Sequence, residues 1–87
     1  MKQAQEVYAH EFDARLERLT SGVRSQIQAK IRELGARLDQ FPHQRLQGRS
    51  EYRLRVGDYR VIYEFDLQKN ILYLITLGHR REIYKRS

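Results

Sequence analysis

The 87-residue chain has no cysteine, so neither a disulfide framework nor a thiolate metal site is available to it. A reducing, cytoplasmic setting fits that absence. One proline and five glycines are too few for a linker-like or low-complexity chain. With 40% hydrophobic and 32% charged residues, the composition is that of a globular protein. No apolar run approaches the roughly 18 residues that a membrane span needs. The N-terminus, Met1-Lys2-Gln3-Ala4-Gln5, lacks the apolar stretch of a secretory signal. Membrane insertion and secretion are therefore not expected, and the expected location is the cytoplasm. Residues 1–87 are read as one domain, near the lower limit of what folds without a staple.

What the chain has in excess is positive charge. Seventeen Lys+Arg against 11 Asp+Glu give +6 and a pI near 10.0. Residues 1–43 hold seven basic and six acidic side chains, whereas residues 44–87 hold ten and five. The first half is a charge-balanced scaffold and the second carries a basic surface, which suits a polyanion as partner. Most of the basic residues are arginine. Arginine suits bidentate phosphate contacts and stacking on bases; a plain bias against lysine is the competing explanation.

The apolar spacing changes along the chain. Glu6 to Glu11 contains Val7 and Tyr8 and reads as a short strand at a sheet edge. Phe12, Leu16 and Leu19 then fall at helical spacing, and Thr20-Ser21-Gly22 interrupts them with Ser21 as the expected N-cap. Val23, Ile27, Ile31, Leu34 and Leu38 trace the stripe of a second helix, which Phe41-Pro42 is expected to end. So short a turn implies an antiparallel helical hairpin. After a polar linker (His43 to Ser50) the period becomes two: Tyr52, Leu54 and Val56, then Tyr59, Val61, Tyr63 and Phe65. Gly57-Asp58 between these runs is a type II′ hairpin signal. Asn70 to Leu77 is almost wholly apolar, as in a strand covered on both faces. Leu67 to Asn70 closes a second hairpin, and Gly78 opens a basic tail. The expected fold is α+β in the order β-α-α-β-β-β, with the helical hairpin on one face of a twisted antiparallel sheet.

The first hairpin has a further consequence. A two-residue turn pairs Val56 with Tyr59, hence Arg55 with Arg60 and Arg53 with Ile62. Side chains alternate across a strand, so Arg53, Arg55 and Arg60 share the face away from the helices. Two arginines directly opposed repel by up to about 1 kcal/mol. A sheet selected for stability alone would place Glu or Thr at one of those positions. The functional reading is a preformed anion site; a fully solvated face is the alternative. Continuing the register through the second hairpin places Ile62 near Ile75, Arg60 near Leu77 and Tyr73 near Glu64. Arg80, Arg81 and Tyr84 of the tail are expected to fold over the same groove. There Tyr84 would stack on a base, act in acid–base chemistry, or simply pack on the sheet. His10, His43 and His79 lie far apart, so no zinc site is expected. No glycine-rich phosphate loop and no Ser or Cys nucleophile motif is present. His79 alone adjoins the basic cluster, as a surface residue or with a supporting role in binding or proton transfer.

The run Tyr52-Arg53-Leu54-Arg55-Val56-Gly57-Asp58-Tyr59-Arg60-Val61-Ile62-Tyr63, followed by Gly78-His79-Arg80-Arg81-Glu82-Ile83-Tyr84, resembles the RelE branch of the RelE/ParE toxin superfamily. Phe12 to Leu19 is similar to the first helix of that family, and the likeness covers roughly residues 5–85. The resemblance implies the toxin of a type II toxin–antitoxin pair, with an acidic antitoxin as partner. Such toxins enter the ribosomal A site and cleave mRNA by attack of a ribose 2′-OH, without metal or small-molecule cofactor. It implies catalytic roles for Arg60, Arg80 and Tyr84 and RNA contacts for Arg53 and Arg55; Arg81 and His79 are added as RNA-binding candidates from their place beside the basic cluster. Positions that can be lysine in the family are arginine here. Arginine stays protonated, so Arg53 and Arg55 are not general bases. Tyr84 is then the leading proton acceptor, with Glu51, Glu64 and His79 behind it. Two other functions remain open on the same fold: a ParE-like inhibitor of DNA gyrase, and a catalytically weak RNA-binding or regulatory relative.

Overall fold

The computed structural model describes residues 2–83. Its elements are β1 (Gln5–Tyr8), α1 (His10–Glu17), α2 (Ser21–Ala36), β2 (Gln44–Arg45), β3 (Tyr52–Val56), β4 (Tyr59–Asp66) and β5 (Ile71–His79). The strands form one sheet in the order β1-β5-β4-β3-β2. The helical hairpin covers one face, with α1 against β5 and α2 against β3. The α+β architecture is the expected one, with two differences at the sheet edges, only one of them an added strand. β1 does lie at an edge, but it runs parallel to β5, so the sheet is mixed rather than wholly antiparallel. Within the expected linker, Gln44 and Arg45 pair with Arg53 and Tyr52 as a two-residue strand.

Both helices form where their apolar stripes fall. Phe12 and Leu16 of α1, and Ile27, Ile31 and Leu34 of α2, meet Leu54, Val56, Val61, Tyr63, Leu72, Leu74 and Leu77 from the sheet. Each fully buried side chain of this kind contributes about 1.5–3 kcal/mol. Thr20, not Ser21, caps α2: its side chain accepts from the Val23 N–H at 3.4 Å, and Ser21 is already helical. The helix stops at Ala36, ahead of Phe41-Pro42. Leu38 and Phe41 therefore pack from the following turns rather than from helix. At Gly35 the incoming chain crosses closely: the Ala4 N–H donates to the Gly35 carbonyl at 3.0 Å.

That turn is tied to the sheet by His43. Its Nε2–H donates to the Leu38 carbonyl at 2.7 Å, which leaves Nδ1 to accept from the Tyr63 hydroxyl at 2.6 Å. The ring stacks on Phe65 with centroids 4.1 Å apart, and Tyr52 meets it edge-on. Burial pushes the Tyr63 hydroxyl well above the ordinary tyrosine range, with Tyr52 adding to the effect, so it remains a donor.

The first hairpin has the expected register: Val56 pairs with Tyr59, Arg55 with Arg60 and Arg53 with Ile62. Gly57 takes φ 58° and Asp58 does not share the positive φ, as a turn with glycine first requires. The second hairpin departs from expectation halfway along. Glu64 pairs with Tyr73 as expected, but Ile62 pairs with Thr76 and Arg60 with Gly78. Ile75 is the extra residue of a β-bulge, and it shifts every later residue of β5 by one. Without the bulge Leu77 would face away from the helices; with it, Leu77 pairs with Val61 and joins the core. Burial of Leu72, Leu74 and Leu77 on one face accounts for the irregularity, since strict alternation cannot place all three there.

Candidate nucleic-acid interface

The basic face is built on the β3–β4 hairpin. In an antiparallel ladder, hydrogen-bonded and non-hydrogen-bonded pairs alternate. Val56 and Tyr59 close the turn as a bonded pair, so Arg55 and Arg60 form a non-bonded one, with Cα atoms about 4.5 Å apart. Arg55 is exposed, whereas Arg60 is 7% exposed. The Arg60 Nη1 donates to the carbonyls of Gly57 at 3.0 Å and Tyr59 at 2.9 Å. Hydrogen bonds to a charged group contribute about 1.5–3 kcal/mol each, more than the roughly 1 kcal/mol of repulsion from Arg55. The turn carbonyls therefore hold two like charges side by side, one fixed and one free to reach outward. Arg53, two residues along, donates from Nε to Gln44 Oε1 at 3.3 Å.

The tail is fastened to the hairpin tip. The Arg80 N–H donates to the Asp58 carbonyl at 2.7 Å, and its Nε lies 3.7 Å from Asp58 Oδ1. Both side chains of that ion pair are mostly exposed, so the backbone bond does the positioning. Arg81 is exposed, and its N–H donates to His79 Nδ1 at 3.2 Å. Tyr84 lies outside the described residues.

The bulge separates His79 from this group. His79 pairs with Tyr59, meeting its ring edge-on at 5.7 Å, and so faces the helix side. There it lines a cleft of about 720 Å³ with Glu11, Arg15, Arg18, Tyr59 and Glu82. The two carboxylates named as proton acceptors stand elsewhere. Glu64 accepts from the Ser50 hydroxyl at 2.7 Å, and Glu51 lies 3.7 Å from Arg49. Glu64 is four residues along β4 from Arg60, about 13 Å at ~3.3 Å per residue. The structure thus strings Arg53, Arg55, Arg60 and Arg80 along one hairpin, turns His79 to the opposite face, and leaves Glu51 and Glu64 at the end of the hairpin away from Arg60 and Arg80.

One basic residue near this face escaped the sequence reading. β1 ends opposite Leu74, so among the described residues no strand lies beside the outer edge of β5 beyond it. Arg15 of α1 fills the gap, donating from Nη1 to the Leu77 carbonyl at 3.3 Å. In the sequence Arg15 is only a polar residue between Phe12 and Leu16. Nothing local says that a strand edge waits beside it.

Among the described residues, no three His, Asp or Glu side chains gather where they could hold a metal ion. Nor is any helix among them long and apolar enough to cross a membrane.

No curated protein sequence matches the chain. The family model described as ParE toxin of the type II toxin–antitoxin system, parDE, matches residues 7–84. Among solved structures, the RelBE toxin–antitoxin complex of Mycobacterium tuberculosis includes a similar chain, with a TM-score of 0.77 and 15% identity over 94% of this chain and 97% of that one. The RelE–RelB complex of Pyrococcus horikoshii gives 0.74 and 21% over 98% and 99%. The isolated RelE toxin of Escherichia coli gives 0.71 and 22% over 93% and 90%. At these identities the likeness is one of fold. The family model, by contrast, spans nearly the whole sequence, both helices and the arginine-bearing hairpin included, and the chain therefore belongs to the ParE toxin family of type II toxin–antitoxin systems, within the RelE/ParE superfamily.

Proposed function

We propose that this toxin is a ribosome-dependent endoribonuclease that cuts mRNA in the A site without a metal ion. The observation that carries the reading is the Arg55–Arg60 pair, opposed on the face away from the helices and flanked by Arg53 and Arg80. A protein-binding inhibitor has no need of that pairing, whereas a phosphodiester supplies the negative charge it lacks. In the proposed reaction the ribose 2′-oxygen attacks the adjacent 3′-phosphorus and the P–O5′ bond breaks. The products are a 2′,3′-cyclic phosphate and a 5′-hydroxyl. Arg60 and Arg80 neutralise charge growing on the non-bridging oxygens, and Arg60 is oriented in advance by the turn carbonyls. Arg53, Arg55 and Arg81 hold the RNA backbone. Tyr84 is assigned the proton from the 2′-OH, because no arginine can accept it. His79, across the sheet, would meet RNA only where a strand passes Tyr59 and Arg18.

The proposed partner is a cognate acidic antitoxin that covers Arg53, Arg55 and Arg60. Several of the similar structures are RelE toxins in complex with RelB, which supports a partner of this kind. Action on ribosomes would place the protein in the cytoplasm. The match to the ParE family favours a second reading, inhibition of DNA gyrase with no RNA chemistry. A weak RNA-binding regulator is the third.

Inducible expression with mapping of mRNA 5′ ends separates these. Cuts inside translated codons that disappear in Arg55→Ala and Arg80→Ala are expected for the nuclease. Growth arrest with intact mRNA and an SOS response would replace it with gyrase inhibition. Harmless expression would favour the regulator.

A further inference from the structure

Gly78 sits in the interior of β5, where glycine costs stability relative to residues with side chains. Its φ is not left-handed, so conformational freedom does not explain the choice. Space does. A Cβ at this position would lie 3.2 Å from Ile83 Cδ1, 3.5 Å from Ile83 Cβ and 3.3 Å from Arg15 Nη1. The missing side chain leaves a notch, and Ile83 occupies it with 2% of its surface exposed.

The notch opens on the arginine face, because Gly78 pairs directly with Arg60. Ile62, Thr76 and Ile83 are all buried, yet none belongs to the core under the helices. Ile62 and Thr76 are a directly opposed pair on that same face, and the Thr76 hydroxyl is buried with no hydrogen-bond partner among the described residues. Ile62 and Thr76, beside the Arg60–Gly78 pair, are therefore covered rather than open to solvent. The turn that delivers Ile83 is short and tied at both ends: the Arg80 N–H to the Asp58 carbonyl at 2.7 Å, and the Glu82 N–H to the His79 carbonyl at 2.8 Å. Those two bonds orient the turn; of its described side chains, Ile83 alone grips the sheet with buried apolar surface.

We propose that Ile83, seated in the notch at Gly78, is the positioning residue that fixes the turn of residues 80–83, and with it Arg80, beside Arg60 for mRNA cleavage. This rests on the nuclease reading above, and it assigns to the Gly78–Ile83 contact a role that neither residue has through chemistry of its own. Both side chains are inert; their effect is to hold the turn that carries Arg80 at the hairpin tip beside Arg60.

The test is a volume swap on the full chain. The variants are Ile83→Ala, Gly78→Val and the double variant Gly78→Val/Ile83→Ala, which moves the bulk from one side of the contact to the other. Two readouts are taken: the rate of tryptic cleavage after Arg81, and single-codon cleavage of a defined mRNA on programmed ribosomes. Each single variant is expected to speed proteolysis at least tenfold and to lower kcat at least tenfold with KM nearly unchanged. The swap is expected to return both rates most of the way to wild type. An Ile83→Ala chain that resists trypsin and cuts mRNA like wild type would overturn the proposal. So would a swap no better than the worse single variant, because a nonspecific loss of stability would accumulate rather than cancel. If the wild-type chain cuts no mRNA, the nuclease reading and the positioning role fall together. The proteolysis arm then shows whether the seat holds the segment at all.

Discussion

Removing one buried oxygen, by Tyr63→Phe, tests the knot that ties the end of α2 to the sheet. The Tyr63 side chain is fully buried, and its hydroxyl donates to His43 Nδ1 at 2.6 Å, while His43 Nε2–H donates to the Leu38 carbonyl. Phenylalanine keeps the ring and its contacts but leaves Nδ1 an acceptor without a donor. An orphaned acceptor costs about 1–3 kcal/mol. His43 is only half-buried, so water can reach it in part, and the lower end, about 1–2 kcal/mol, is expected. For a domain of this size that lowers Tm by roughly 5–15 °C. Tyr52→Phe is the control: its ring stacks in the same cluster, but no hydrogen bond of its hydroxyl is found among the described residues. It should change stability by no more than about 0.5 kcal/mol. Urea and thermal unfolding by circular dichroism, at about pH 8 where an ordinary imidazole is neutral, measure both. Equal midpoints for wild type, Tyr63→Phe and Tyr52→Phe would refute the argument. Nitrogen-shift NMR showing the proton on Nδ1 would refute its directional part.

The same tyrosine sets an alkaline limit. Its pKa is raised on folding, so the folded state holds the proton longer, and the stability this represents is intact below the unfolded value near 10.0 and lost as pH rises beyond it. Unfolding curves collected upward from about pH 9 should show that loss, and Tyr63→Phe should flatten it. Arg55→Gln should leave stability unchanged or raise it by up to about 1 kcal/mol, since it removes the repulsion on Arg60. It should also weaken RNA binding and make that binding less salt-dependent; a destabilised variant would contradict the anion-site reading. Arg60→Gln should instead lower stability by about 1–3 kcal/mol through the turn carbonyls it leaves unpaired, measured by urea titration. Gly57→Ala should cost about 1–2 kcal/mol in the same assay, because Gly57 sits at φ 58°.

The arginine pair was legible because a two-residue turn leaves a hairpin one register, and alternation then assigns faces without reference to the rest of the molecule. The helical stripes were legible for the same local reason. Phe12, Leu16, Ile27, Ile31 and Leu34 are buried as their spacing requires. Helix ends were less so. Thr20 and Ser21 are both good capping residues, and only the path of the chain decides between them.

What escaped depends on contacts between distant segments. In Asn70 to Leu77 nearly every residue is apolar, so the pattern does not mark which of them faces the helices. The bulge at Ile75 was therefore invisible, and with it the turn of His79 to the helix side. The parallel pairing of β1 with β5 joins segments more than sixty residues apart, and no short-range signal encodes its direction.

By itself, then, the sequence determined the periodicities, the hairpin turn and the opposed arginines, because each is set by covalent geometry and neighbours a few residues away. The tertiary structure decided which of those arginines is buried in its own turn, what closes the free edge of β5, and why position 78 carries no side chain. Those three depend on Arg60, Arg15 and Ile83 being brought to one end of the sheet by the fold of the whole chain, and burial and edge exposure are properties of that assembly.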